Sequence, residues 1–199
     1  MNRIEIKSMN VQYESGYLEI ILGPMFSGKT SRLIEIYKQC KFCNINVVAI
    51  NHSCDERYDK SLLTSHDNVK IVCIKTDNLL DLLLNEKHIL EKTKIKLSEI
   101  ILINEGQFFE DLEEFVKELL KLKKKIYVCG LDGDFERKKF GKILDIIPLS
   151  DNVIKLSSLC SLCKNGTSGI FSKRITNETD QVVVGSENYI PVCRKCYEL

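Results

Sequence analysis

Short runs of consecutive apolar residues alternate along this chain with stretches whose apolar positions recur every three or four residues. The first run is Tyr17 to Leu22 (Tyr-Leu-Glu-Ile-Ile-Leu), which stops at Gly23. An apolar run bounded by a turn residue reads as a buried strand. Residues 28–42 follow with Leu33, Ile34, Ile36 and Tyr37 at roughly helical spacing. Asn46 to Ile50 and Lys70 to Lys75 predict further strands, and a Leu-rich helix is expected over about 77–84. Ile100 to Ile103 predicts a strand leading into a helix over about 110–122. Ile126 to Cys129 reads as the next strand, followed by a polar loop and a short helix near Ile143. Strands alternating with helices imply βαβ units and a mostly parallel sheet, so the expected class is α/β. Right-handed crossovers then place any ligand at the edge where the strands end.

Near Ser157 the texture changes. Residues 158–199 show no convincing helix but two short extended runs, Gly169 to Ile175 and Gln181 to Val184. The expected organisation is an α/β nucleotide-binding domain over 1–157 and a small metal-pinned module over 158–199. A length of 199 residues suits one domain with an appendage. With 44% hydrophobic and 29% charged residues, the chain is neither disordered nor membrane-embedded. A formal net charge of +1 gives no basic footprint for nucleic acid and none for a membrane surface. Met1 to Glu5 (Met-Asn-Arg-Ile-Glu) lacks the apolar stretch of a secretory signal. A soluble, cytoplasmic protein is expected.

Gly23-Pro24-Met25-Phe26-Ser27-Gly28-Lys29-Thr30 fits G-x-x-x-x-G-K-[ST] between a predicted strand and a predicted helix. Its glycines let the backbone curl so that N–H groups point at phosphate oxygens, and the helix adds its positive end. Lys29 reaches the outer phosphates and the Thr30 hydroxyl suits Mg²⁺. The pattern points to a nucleoside triphosphate. Such sites need a carboxylate at the end of a neighbouring strand. Here the run Ile100 to Ile103 meets Asn104 and then Glu105. Glu105 can accept a proton from an attacking hydroxyl, whereas Asn104 brings an amide oxygen without charge.

Of nine cysteines, Cys160-x-x-Cys163 and Cys193-x-x-Cys196 form two pairs. Four thiolates match structural Zn²⁺, and a closed Cys₄ shell leaves no open position for catalysis. The 29 residues between the pairs exceed the usual spacing of about 15–20, which implies an excursion anchored at both ends. Disulfides are the alternative. Cys40-Lys41-Phe42-Cys43 is a further pair, either incidental or thiol-redox.

Together these pieces resemble the type II thymidine kinases of the cellular and large-DNA-virus kind. The carrying segments are residues 23–29, Asp55-Glu56-Arg57-Tyr58, Ser65-His66-Asp67, Glu105-Gly106-Gln107-Phe108-Phe109 and Leu131 to Gly141. The two Cys pairs, Lys173-Arg174 and Gly185-x-x-x-Tyr189 complete them, from about residue 17 to 197. The fold implied is a P-loop, RecA-like parallel sheet with helices and a small C-terminal zinc module bearing a lasso loop. The resemblance implies Mg²⁺-dependent transfer of the γ-phosphoryl group of ATP to the 5′-hydroxyl of thymidine. It also implies a homotetramer and feedback by thymidine triphosphate. Glu105 matches the catalytic base. Asp55 and Arg57 match the segment near the phosphates, and Asn104 and Gln107 belong to the acidic-element motif. Met25, Phe108, Leu131, Phe135, Val182, Val183, Val184 and Tyr189 match the base pocket, where Phe108 and Phe135 can sandwich a pyrimidine.

The chain departs from the family pattern at Asn104, where Asp is usual, and at Val184, where the first of two glycines often stands. The sequence stops just after Cys196, so a regulatory tail is not expected. Two other classes remain: a weakened nucleotide-binding homologue, motivated by Asn104, and a zinc-ribbon ATPase acting on nucleic acid, which the near-zero charge disfavours.

Overall fold

The computed structural model describes residues 15–54, 62–65, 68–183 and 185–199. Chain order begins with β1 (Tyr17–Leu22), α1 (Lys29–Phe42), β2 (Val47–His52), β3 (Leu62–Thr64), β4 (Lys70–Val72) and β5 (Ile74–Thr76). It continues through α2 (Asp81–Leu84), α3 (Ile89–Leu97), β6 (Ile100–Ile103), α4 (Leu112–Lys121), β7 (Lys125–Gly130) and β8 (Asn152–Lys155). The C-terminal part holds β9 (Ser158–Leu159), β10 (Ser168–Gly169), β11 (Phe171–Arg174), β12 (Tyr189–Val192) and α5 (Arg194–Tyr197).

Six strands form one sheet in the order β5-β2-β6-β7-β1-β8, and every pair in it is parallel. The α/β class read from the apolar runs is the observed one. Those runs lack alternation because the sheet is covered on both faces. In β6, Ile101 and Ile103 join one core cluster while Ile100 and Leu102 join the other. In β1, Leu18, Ile20 and Leu22 face the first cluster and Ile21 the second. Helix α4 supplies Leu112, Phe115, Val116 and Leu119 to the first, at the i, i+3, i+4, i+7 positions of one stripe. Helix α1 supplies Leu33, Ile34, Ile36 and Cys40 to the second. The parallel order brings the ends of β1, β2, β6 and β7 to one edge.

Several elements differ from the sequence expectation. The stretch 70–75 is two strands, because β4 pairs antiparallel with β3 while β5 joins the edge of the large sheet beside β2. A continuous apolar run carries no mark of this change of partner. The Leu-rich helix is a single turn at Asp81–Leu84. Asn85 turns extended after it, and its side chain accepts the Lys87 N–H at 3.0 Å, opening a separate segment that runs on into α3. Around Ile143 the chain makes turns rather than a helix, with Ile143 and Ile146 fully buried beneath them. Strand β8, on the outer edge beside β1, is short, polar at both ends and largely exposed, so no apolar run marks it. Residues 181–183 are not a strand; the partner of β11 is β12. A one-turn helix, α5, follows Cys193.

Candidate active site

Strand β1 delivers Gly23 to the sheet edge, and a loop returns the chain into α1. A Cβ on Gly23, at φ 152°, would lie 2.6 Å from the Leu156 carbonyl oxygen, so only glycine passes there unstrained. Gly28 sits left-handed at φ 84° immediately before α1. Within the loop the Pro24 carbonyl accepts from Ser27 Oγ at 2.8 Å and from Lys29 Nζ at 2.7 Å. The Met25 N–H donates to Ser172 Oγ at 2.9 Å, tying the loop to β11 in the C-terminal module.

Asn104, the residue after β6, is almost wholly buried beside Asn51 at the end of β2. Its Oδ1 accepts from Thr30 Oγ1 at 3.3 Å and from the Cys129 thiol at 3.0 Å, while its Nδ2 donates to Asn51 Oδ1 at 2.9 Å. Burial, reinforced by the nearby Glu105, pushes the Cys129 thiol up to about 12, so it stays protonated and donating. Both lone pairs of Asn104 Oδ1 are therefore engaged. Asn104 anchors the Thr30 hydroxyl and the Cys129 thiol through one amide oxygen.

Glu105 follows in a left-handed conformation, φ 54°. Gln107 Nε2 donates to Glu105 Oε2 at 2.7 Å, and Gln107 Oε1 accepts the Leu131 N–H at 3.0 Å. Gly141 backs this arrangement: at φ 56°, a Cβ there would fall 1.8 Å from the Gln107 carbonyl oxygen. Phe108 meets Phe140 edge-on at 5.4 Å between ring centroids and lies 5.5 Å from the His52 ring.

One face of Phe135 carries the Arg174 guanidinium at 3.7 Å. A sandwich between Phe108 and Phe135 is thus limited to the other face of Phe135. Arg174 also donates to the carbonyls of Glu178 at 2.8 Å, Asp180 at 2.6 Å and Gln181 at 3.2 Å, and to the Tyr189 hydroxyl at 2.5 Å. Gln181 Nε2 in turn reaches Asp134 Oδ2 at 2.7 Å. The excursion is folded back over the 131–135 segment by these bonds.

A cavity of about 130 Å³ lies among these parts. Loop residues 25–30 line it, with Glu105, Gln107, Phe108, Leu131, Phe135, Val182, Val183 and Tyr189. Gly23, Pro24 and Asn104 do not; they shape the loop and hold Thr30. Asp55, Arg57 and Val184 lie outside the described residues, as do Glu56, Tyr58, His66 and Asp67. Asp134, Phe140, Ser172, Gln181 and Cys54 also line the cavity. Spacing alone did not single them out. Asp134 and Phe140 lie within the segment Leu131 to Gly141, whereas Ser172 and Gln181 carry no local signal.

The four cysteine sulfurs of the C-terminal pairs lie within 4.8 Å of one another. Cys163 Sγ is 3.8 Å from that of Cys193 and 3.4 Å from that of Cys196. Metal–sulfur bonds of about 2.3 Å in a tetrahedron separate sulfurs by roughly 3.8 Å, so the set fits Zn²⁺. Burial resists charge on Cys160, but backbone hydrogen bonds from Cys163, Cys193 and Leu162 prevail and hold its pKa down to about 6. The pair at Cys40 and Cys43 has different surroundings: Cys40 is buried and pushed up to about 11, while Cys43 is exposed. Among the described residues no helix is long and apolar enough to cross a membrane.

Residues 16–197 match the family model described as thymidine kinase. The chain belongs to the thymidine kinase family. It is 40% identical to the thymidine kinase of Yaba monkey tumor virus (strain VR587) over 184 residues, covering 92% of this chain and 95% of that protein. It is likewise 40% identical to that of Sheeppox virus (strain KS-1), over 92% of this chain and 98% of the relative. The thymidine kinase of Vaccinia virus (strain Western Reserve) is 38% identical over 92% and 97%. The family match spans both the large sheet and the cysteine module, so the cavity between them is built entirely within the matched region.

Proposed function

We propose that this chain transfers the γ-phosphoryl group of ATP to the 5′-hydroxyl of thymidine. The observation that carries this reading is a cavity whose lining runs from the glycine-bearing loop, past Glu105, to Phe108, Phe135 and Tyr189. Phosphoryl transfer needs positioning and charge stabilisation above all. Loop N–H groups and Lys29 would take the phosphates, with Arg57 beside them, and Glu105 would receive the proton of the sugar hydroxyl. Gln107 holds that carboxylate in place through its 2.7 Å bond. The Thr30 hydroxyl would hold Mg²⁺, and by donating its hydrogen bond to Asn104 Oδ1 it leaves its oxygen lone pairs for that role. Bound there, Mg²⁺ neutralises charge on the transferring group. Phe108, Leu131, Phe135 and Tyr189 would flank the base, and Zn²⁺ would pin the module structurally.

We further propose that residues 1–157 form the nucleotide-binding domain and 158–199 the zinc-binding lasso domain, since β8 is the last strand of the large sheet. A homotetramer, feedback by thymidine triphosphate and a cytoplasmic location follow from the family resemblance.

Labelled thymidine with ATP and Mg²⁺ is expected to yield thymidine monophosphate. Deoxyguanosine is expected to react roughly 10²-fold or more slowly, because polar groups reading the pyrimidine edge would go unpaired. Comparable rates with the two nucleosides overturn the pocket assignment.

A second reading, a weakened homologue, rests on the uncharged Asn104 and its occupied lone pairs. The variant Asn104→Asp separates the two. Turnover in the natural chain that the variant changes less than about tenfold supports an active kinase. Turnover appearing only in the variant supports the weakened homologue.

A further inference from the structure

Beyond the proposed phosphoryl transfer, the geometry points to Cys54, with His52 as its base, as a reactive thiol on the cavity wall, where a small disulfide would modify it and block the site. His52 ends β2 and Cys54 lies two residues on. Cys54 Sγ is 2.9 Å from His52 Nδ1, and the Cys54 backbone N–H donates to that same nitrogen at 3.2 Å. A ring nitrogen that accepts a backbone N–H carries a lone pair, so the ring hydrogen sits on Nε2. Nε2 faces Asp77 Oδ1 at 3.9 Å. The ring meets Phe109 edge-on at 4.8 Å and lies tilted against Phe108 at 5.5 Å between centroids.

Thiol and imidazole thus stand as a nucleophile within hydrogen-bond reach of its base, with the exposed Asp77 carboxylate a nearby charge at 3.9 Å from the far ring nitrogen. Burial lowers the His52 pKa against the opposing pull of Asp77, Glu105 and Asp111, so the ring is neutral and able to take a proton at pH 7. The surroundings of the other described thiols outside the metal cluster differ. Cys40, Cys73 and Cys129 are buried, and Cys43 is exposed at the end of α1.

The reaction is an exchange. The Cys54 proton passes to His52 Nδ1 as Sγ attacks one sulfur of the disulfide. A new S–S bond forms, the old one breaks, and the departing thiolate takes the proton back from the imidazolium. The retained half stays on Cys54 in a cavity it shares with Lys29, Glu105 and Phe108. That blocking effect rests on the nucleotide reading of the cavity; the thiol chemistry does not.

The zinc-loaded full chain is treated with 2-hydroxyethyl disulfide, and adducts on Cys54 and Cys43 are followed over time by peptide mass spectrometry. Cys54 is expected to react about tenfold or more faster than Cys43. The variant His52→Gln is expected to bring Cys54 down to the rate of Cys43. Equal rates in the natural chain overturn the assignment, as does a Cys54 rate that His52→Gln leaves unchanged. Should His52→Gln fail to fold, the rate ratio in the natural chain and a partial slowing in Asp77→Asn decide the matter. ATP with Mg²⁺ is expected to slow Cys54 alone. A fast Cys54 that ATP does not protect upholds the reactive thiol and overturns its coupling to the nucleotide site.

Discussion

Glu105 occupies a backbone region that costs a non-glycine residue on the order of 1–3 kcal/mol. Its φ of 54° directs the chain from β6 into the turn that carries Gln107, whose amide bridges the Glu105 carboxylate and the Leu131 N–H. In Glu105→Gln the shape is kept and the proton acceptor is lost. Turnover is expected to fall by about 10²–10⁴ while ATP affinity stays within roughly threefold. Steady-state rates beside nucleotide titration check this, and a variant that keeps its turnover removes Glu105 as the base. The candidate base was legible in the sequence because it follows an apolar run beside a phosphate loop. Its neighbour was legible only in part. The missing charge at Asn104 is plain from the residue type, but the use of both its lone pairs by Thr30 and Cys129 depends on side chains from two other elements.

At the scale of elements, the excursion between the Cys pairs is held from two directions. The cysteine cluster fixes its ends, and Arg174 on β11 gathers the carbonyls of Glu178, Asp180 and Gln181 and the Tyr189 hydroxyl. A planar fork can serve this many acceptors at once, which a lysine ammonium cannot. Arg174→Met is expected to raise the apparent KM for thymidine about tenfold with a smaller change in kcat, because the carbonyls of Glu178, Asp180 and Gln181 and the Tyr189 hydroxyl lose their common tether. Steady-state kinetics over a range of thymidine concentrations test it; an unchanged KM would show that this segment does not contact the nucleoside. Chelating the metal is expected to increase hydrogen exchange across 164–192 and to raise the same KM. Intact nucleoside binding after chelation would defeat the proposed role of the metal. The two Cys pairs announce themselves by spacing. The clamp does not, since Lys173-Arg174 reads as an ordinary exposed basic pair until β11 and β12 bring Arg174 under the loop.

Over the whole molecule, stability rests on two apolar layers, one on each face of a parallel sheet. Phe115 is fully buried in the layer beneath α4. Phe115→Ala is expected to cost about 3–5 kcal/mol through lost burial and the cavity left behind. Urea unfolding checks this as a lower midpoint at unchanged slope. A loss below about 1 kcal/mol would mean that this layer repacks freely.

Local chemistry sufficed for whatever is written in adjacent residues. Apolar runs that stop at glycine, a strand–turn–helix around Gly28 and Lys29, and thiols three positions apart each carry their physical reason within a few positions. Element boundaries failed where the partner mattered, as at Cys73, where one apolar run serves two sheets. The cavity itself draws the 25–30 loop, Glu105, Phe108, Leu131, Phe135, Gln181 and Tyr189 to one place. No short-range preference links them; they meet because parallel pairing brings four strand ends to one edge and the cysteine module folds back across it. The identity of the working residues belongs to the sequence. Their distances, buried partners and protonation are consequences of packing alone.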